Sequence, residues 1–269
     1  MCDILTNLFD IEKCNLEFKD TRIVYIPNFI KDEISSRLVQ QINKDVNKCK
    51  IKQKDSIING IGQYDIKNNN GDNIKIIKKH SLISGNCIEY FFPDLYYYYN
   101  NCLANIVSKI VGCRVYPIND INTINNSILI YENIGDSVRW HTDQSHFSNK
   151  KVYTLLIYLY NDSSQQLCYI EYNDINRTKK CLPTVTNSCI ILEHFTLEHM
   201  VTPIKSGEKK IAWAMVFAED VRSNNPISYT IDKIKNFSYL ELDAFNMFDY
   251  LVIIVLFYCI YLLYYSIKK

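Results

Sequence analysis

The stretch Tyr131-Glu-Asn-Ile-Gly135-Asp-Ser-Val-Arg-Trp140-His141-Thr-Asp143 decides how this chain is read. It ends in a His-x-Asp pair, and a lone histidine follows far downstream in Leu197-Glu-His199-Met-Val201. Side chains on a strand alternate faces, so His141 and Asp143 point the same way from an extended segment. His199 is then expected from a second strand of the same barrel. Two imidazoles and one carboxylate on one face form the facial triad that holds non-haem Fe(II) and leaves coordination positions open. The pattern alone is weak, because a chain with five histidines produces His-x-Asp by accident and most histidines are structural.

Neighbouring residues strengthen it. Tyr131 opens the stretch and Tyr158 sits on the next apolar run, and each offers a phenol hydroxyl. Beyond His199, the run Thr202-Pro203-Ile-Lys-Ser-Gly207-Glu-Lys209-Lys210 supplies cations. Lys209 is expected to turn inward and pair with the distal carboxylate of a dicarboxylic co-substrate whose other end chelates the metal. Lys210, adjacent on a strand, is then expected to point away. His194 is a rival for the distal ligand, disfavoured because Pro203, Gly207 and Lys209 keep register with His199. His80 and His146 are read as non-ligands, and Trp140 and Trp213 as packing.

The flanking pattern predicts the architecture. Runs at 127–131, 152–160, 167–172, 188–192 and 210–217 are short, β-branched and aromatic, and Asn-, Asp- and Ser-rich links separate them. That spacing predicts an antiparallel sandwich or barrel. Before it, Arg22-Ile-Val-Tyr-Ile26 reads as a strand. Residues 31–43 read as an amphipathic helix with Ile34, Leu38, Val39 and Ile42 on one side and Asp32 and Glu33 in the first turn. A further helix is expected from Pro93 to Ile110, closed by Gly112 in the position that favours glycine. The tyrosines at 96–99 are read as packing and surface aromatics. Residues 47–86 are polar and carry no assigned role, and 1–20 are expected as an N-terminal extension without a secretory signal.

Apolar residues make up 48% of the chain and charged residues 22%, with a formal net charge of +1. The charge balance leaves no strong nucleic-acid signal. The ten cysteines include no Cys-x-x-Cys pair, which excludes a zinc ribbon and predicts reduced thiols. Residues 250–267 hold no charge and are followed by Lys268-Lys269. They predict a transmembrane helix over 249–267, behind a linker at 220–248. The expected protein is single-pass and tail-anchored, with its catalytic domain in the cytosol and the membrane as a partner.

With these residues in place, the chain resembles the Fe(II)/2-oxoglutarate-dependent dioxygenases, and within them the prolyl 4-hydroxylase-like branch. The resemblance spans about residues 20–220 and is firm over 127–218. It implies an α+β domain at 21–219: a double-stranded β-helix (jelly-roll) core supported by N-terminal helices. It implies Fe(II) on His141, Asp143 and His199. It also implies 2-oxoglutarate on Lys209, Tyr131 and Tyr158, with Thr154 at a neighbouring inward position. O2 is the second co-substrate, and ascorbate keeps the iron reduced. The implied reaction yields succinate and CO2 while hydroxylating a protein or peptide side chain, with proline the first candidate. One departure is plain: where the family often has Gly-Gly after the central strand, this chain has Asn161-Asp-Ser-Ser-Gln165-Gln166, which bears on the substrate-side loop. Two alternatives stand beside this reading. An AlkB-type nucleic-acid demethylase shares the metal, but its arginine-rich closing motif is absent. A non-catalytic, membrane-anchored β-helix interaction or structural protein needs no ligands at all.

Overall fold

The computed structural model describes residues 3–49, 51–52, 65–67, 73–75, 78–83, 85–118, 125–143, 151–171 and 174–221. Its frame is built from strands β1 (Ile23–Ile26), β2 (Ser81–Ile83), β3 (Asn126–Tyr131), β4 (Ser137–His141) and β5 (Val152–Asn161). It continues with β6 (Gln166–Glu171), β7 (Lys180–Pro183), β8 (Cys189–Glu193), β9 (Leu197–Val201) and β10 (Lys210–Ala218). The larger sheet runs β1-β8-β5-β10-β3-β2, with Ile51–Lys52 beside β2 and Tyr116–Pro117 beside β10. The smaller sheet runs β7-β6-β9-β4, with Lys78–Lys79 at its edge. From β3 onward the chain changes sheet at every connection except the β6–β7 hairpin, and the pairings between these strands are antiparallel. This is the expected double-stranded β-helix.

Alternation along β5 and β10 creates two interiors. On β10, Ile211, Trp213, Met215 and Phe217 join a large apolar core with Tyr153, Leu155, Ile157 and Leu159 of β5. Helices α1 (Ile11–Thr21), α2 (Asp32–Cys49), α3 (Gly85–Phe91), α4 (Pro93–Tyr98) and α5 (Ala104–Val111) cover that face, contributing Phe18, Leu38, Ile88, Leu95 and Ile110 among others. Trp213 is fully buried, and its Nε1–H donates to Asn126 Oδ1 at 2.7 Å, which satisfies the one polar atom of the ring. The opposite parity of the same strands (Thr154, Leu156, Ala214, Val216) looks toward the smaller sheet and lines a cavity. Bulky residues therefore face the helices, and small or polar ones leave the space that a site needs.

Three expectations are corrected or sharpened. The stretch expected as an extension is part of the domain: Asp10 caps α1 by accepting from the Glu12 and Lys13 amides, and Ile4 and Phe18 are buried. The helix expected from Pro93 to Ile110 is interrupted by a π turn at Tyr99–Leu103 before Gly112 ends it at φ 78°. The Tyr99 hydroxyl donates to the Val216 carbonyl at 2.6 Å and accepts from the Ile118 amide at 2.8 Å, tying the helix to the end of β10. The cysteines are not all thiols, because Cys168 and Cys181 form a disulfide across β6 and β7. They face each other in register in that hairpin, a pairing that spacing rules for metal-binding cysteines do not reveal. Among the described residues, no helix is long and apolar enough to cross a membrane. The linker beyond 221 and the expected span at 249–267 lie outside the described residues.

Candidate metal centre

His141 is the last residue of β4, and Asp143 follows two residues later, just past the strand. On β9, Leu197, His199 and Val201 are buried while Glu198 and Met200 are less so, so alternation alone aims His199 inward. His199 pairs in register with His141, and Val201 pairs with Val138 across a bulge. The extra residue on β4 resets its parity, and both Val138 and His141 line the cavity. The two imidazole rings lie 4.2 Å apart between centroids.

The donor set fits a divalent transition metal. One ligand atom from each of His141, Asp143 and His199 lies within 4.8 Å of the others. His141 Nε2 is 3.4 Å from Asp143 Oδ1, and His199 Nε2 is 3.7 Å from Oδ2. At 2.8 Å, His141 Nδ1–H donates to the Arg139 carbonyl, so the proton sits on Nδ1 and the Nε2 lone pair points into the site. That is the tautomer a metal requires, fixed by a backbone acceptor. Burial alone would raise the Asp143 carboxyl, but the neighbouring imidazoles of His199, His141 and His194 outweigh it. They hold Asp143 well below the usual carboxylate range, ready as an anionic ligand.

The cavity has a volume of about 140 Å³ and lies between the two sheets, with mostly aliphatic walls and the triad in its lining. Thr154 lines it as expected and bonds to His194 at 2.6 Å. Tyr131 lines it too, with the His80 ring 5.2 Å away. Tyr158 is buried behind that wall rather than on it. Burial pushes both phenols up, so they remain protonated donors.

The two lysines point the opposite way from that expected. Lys209 precedes β10 and turns out, with Nζ 3.3 Å from Asn43 Oδ1 and 3.9 Å from Glu132 Oε2, at the exposed edge. Lys210 is 1% exposed, its Nζ 4.3 Å from the centre of the Tyr131 ring and 5.7 Å from that of Tyr158. Desolvation lowers its pKa to about 7. The reason is parity: Ile211, Trp213, Met215 and Phe217 claim the helix side of β10, so Lys210 shares the inward side with Ala212 and Ala214. That large–small alternation is the signal in the sequence for which of the two lysines is buried.

The stretch standing in place of Gly-Gly is held by side chains. Gln165 Nε2 donates to the carbonyls of Asp136 at 2.8 Å and Thr202 at 2.6 Å, while Asn161 Nδ2 bonds to Thr184. Amide side chains here supply contacts that bind the turn to both neighbouring loops.

No family model and no curated protein matches the sequence. Solved structures do. The epimerase SnoN from nogalamycin biosynthesis, in complex with Fe3+, alpha ketoglutarate and nogalamycin RO, aligns with TM-score 0.55 at 8% identity, covering 78% of this chain and 83% of its own. A prolyl hydroxylase from Trichoplax adhaerens, in complex with a hypoxia inducible factor peptide fragment, aligns with TM-score 0.54 at 13% identity, covering 81% and 95%. A 2OG-Fe(II) oxygenase family oxidoreductase from Burkholderia pseudomallei aligns with TM-score 0.53 at 9% identity, covering 81% and 94%. At these identities the likeness is one of fold: the chain has the jelly-roll fold of 2-oxoglutarate/Fe(II) oxygenase structures.

Proposed function

We propose that the chain is an Fe(II)- and 2-oxoglutarate-dependent oxygenase that hydroxylates a protein side chain, with proline the first acceptor to test. The observation that carries this reading is the convergence of His141, Asp143 and His199, with His141 locked by Arg139 in the tautomer that presents Nε2. Lys210 supports it as a buried cation without a carboxylate partner in any ion pair found among the described residues. On this reading the triad holds Fe(II), and Lys210, in place of Lys209, receives the far carboxylate of 2-oxoglutarate beside the Tyr131 phenol. Bound Fe(II) and 2-oxoglutarate supply the activation of O2 and the oxidising equivalents.

The chain's own residues do the rest. His141 and Asp143 fix the ligands at a strand end, and His199 is carried by the adjacent strand, so the scaffold sets their separation. Aliphatic walls from both sheets keep water from the reacting atoms. Lys210 and Tyr131 give the dicarboxylate one direction of entry. The protein acceptor is supported by the Trichoplax adhaerens structure, whose ligand is a peptide. The SnoN complex, with its small-molecule ligand, makes a small-molecule acceptor the competing arm. The apolar run at 250–267 is proposed as a membrane anchor.

The test is succinate formation by the full chain with Fe(II), ascorbate and 2-oxoglutarate in air, beside Asp143→Ala. Slow turnover that is lost in the variant is expected, and proline-containing peptides that gain one oxygen in mass should raise it. A chain that binds neither Fe(II) nor 2-oxoglutarate would overturn the oxygenase and leave an interaction module. Stimulation by small molecules, with peptides inert, would overturn the protein acceptor alone.

A further inference from the structure

Asp143 is approached by a third imidazole that the metal triad does not use. His194 is 6% exposed, and its Nε2 lies 3.8 Å from Asp143 Oδ2 and 2.6 Å from Thr154 Oγ1. It falls outside the cluster of mutually close ligand atoms formed by His141, Asp143 and His199. Among the described residues, Nε2 lies near a hydroxyl oxygen and a carboxylate oxygen. In the Nε2–H tautomer the ring donates to Thr154 Oγ1 and turns its N–H edge toward Asp143 Oδ2. At 3.8 Å the approach to Asp143 is too long for a hydrogen bond, but between two buried side chains an N–H edge still attracts a carboxylate oxygen.

Two strands of the larger sheet hold His194 in place. His194 follows β8 directly, and its amide donates to the Val152 carbonyl at 2.9 Å. Its partner Thr154 sits on β5, opposite Leu192 of β8. Asp143 instead lies beyond the end of β4. Its Oδ1 leans to His141, while Oδ2 lies between His199 and His194. We propose that His194, oriented by Thr154, is a positioning residue that anchors the Asp143 carboxylate through Oδ2 and so preorganises it for the metal. The inference rests on the metal reading of the triad.

The test uses Co(II) as probe on the full chain, comparing wild type with His194→Ala, His194→Gln and Thr154→Val. Calorimetry should show Co(II) bound about 10- to 100-fold more weakly by His194→Ala, the usual loss when the group holding a ligand is removed. His194→Gln keeps an N–H near the position of Nε2 and should recover most of the loss, while Thr154→Val should fall between. At saturating Co(II) the visible spectrum should match wild type in all three, because no ligand has been lost. Co(II) affinity within twofold of wild type in His194→Ala would overturn the proposal. So would a changed spectrum at saturation, which would make His194 a ligand. The melting temperature of each metal-free variant separates a folding defect from a binding one. A wild-type chain that takes up no Co(II) would overturn the metal reading itself, and this inference with it.

Discussion

Lys210 is the residue on which the co-substrate reading turns, and its burial makes that reading measurable. In the free protein, desolvation lowers its pKa from 10.5 to about 7. A carboxylate placed against the ammonium favours the charged form, so binding 2-oxoglutarate above pH 7 takes up a proton. Affinity should therefore be flat below pH 7 and fall about tenfold per pH unit above it. Calorimetry in buffers of different ionisation heat reads that uptake, and its absence would remove Lys210 from the site. Stability carries the same signature with a definite sign. Between pH 7 and 10.5 the unfolded chain keeps a proton that the folded chain has released, so stability rises with pH across that window. Below pH 7 the whole cost of burying the charge is present. Lys210→Met should abolish the rise and weaken 2-oxoglutarate by about 30-fold or more, since losing one partner of a buried charge pair costs ~2–5 kcal/mol. Lys209→Met, which removes only exposed contacts to Asn43 and Glu132, should leave affinity nearly unchanged.

The elements were legible in the sequence wherever periodicity had a single meaning. β3, β5, β6, β8 and β10 fall on the apolar runs, and α2 and α5 on helical spacing and a terminal glycine, because each has one face to bury. His199 was aimed correctly because β9 alternates without interruption. Parity failed at Lys209-Lys210 because adjacent lysines carry no phase of their own; the phase came from Trp213 and its neighbours. The bulge on β4 was also invisible, since a one-residue shift depends on the partner strand. The disulfide was hidden because Cys168 and Cys181 are brought together by hairpin register alone. That bond yields an element-scale prediction. β7 is an edge strand whose residues are mostly exposed, with Cys181 its covalent tie to β6. Cys168→Ser with Cys181→Ser should cost about 2–3 kcal/mol in chemical denaturation, the range for closing a loop of this size. The loss should be confined to stability, because neither cysteine lines the cavity. A double variant as stable as wild type, or one that loses 2-oxoglutarate binding while folded, would contradict this.

At the scale of the whole molecule, two features pull in different directions. The apolar run at 250–267 predicts a membrane anchor, and the sequence predicts a domain in the cytosol. A Cys168–Cys181 bond that persists in the cell would call for an oxidising compartment, because cytosolic thiol systems keep such pairs reduced. The full chain expressed in cells should remain in the pellet after alkaline carbonate extraction, and a chain ending at residue 248 should leave it. If the bond persists in the cell, the domain in sealed vesicles should resist added protease until detergent opens them. On reduction, maleimide labelling of the denatured wild-type chain should then gain two more sites than that of the double serine variant. A domain digested without detergent, with Cys168 and Cys181 already free, would return it to the cytosolic side and make the disulfide conditional on oxidation. Carbonate release of the full chain would remove the anchor, and with it the membrane as a constraint on which acceptors can reach the cavity.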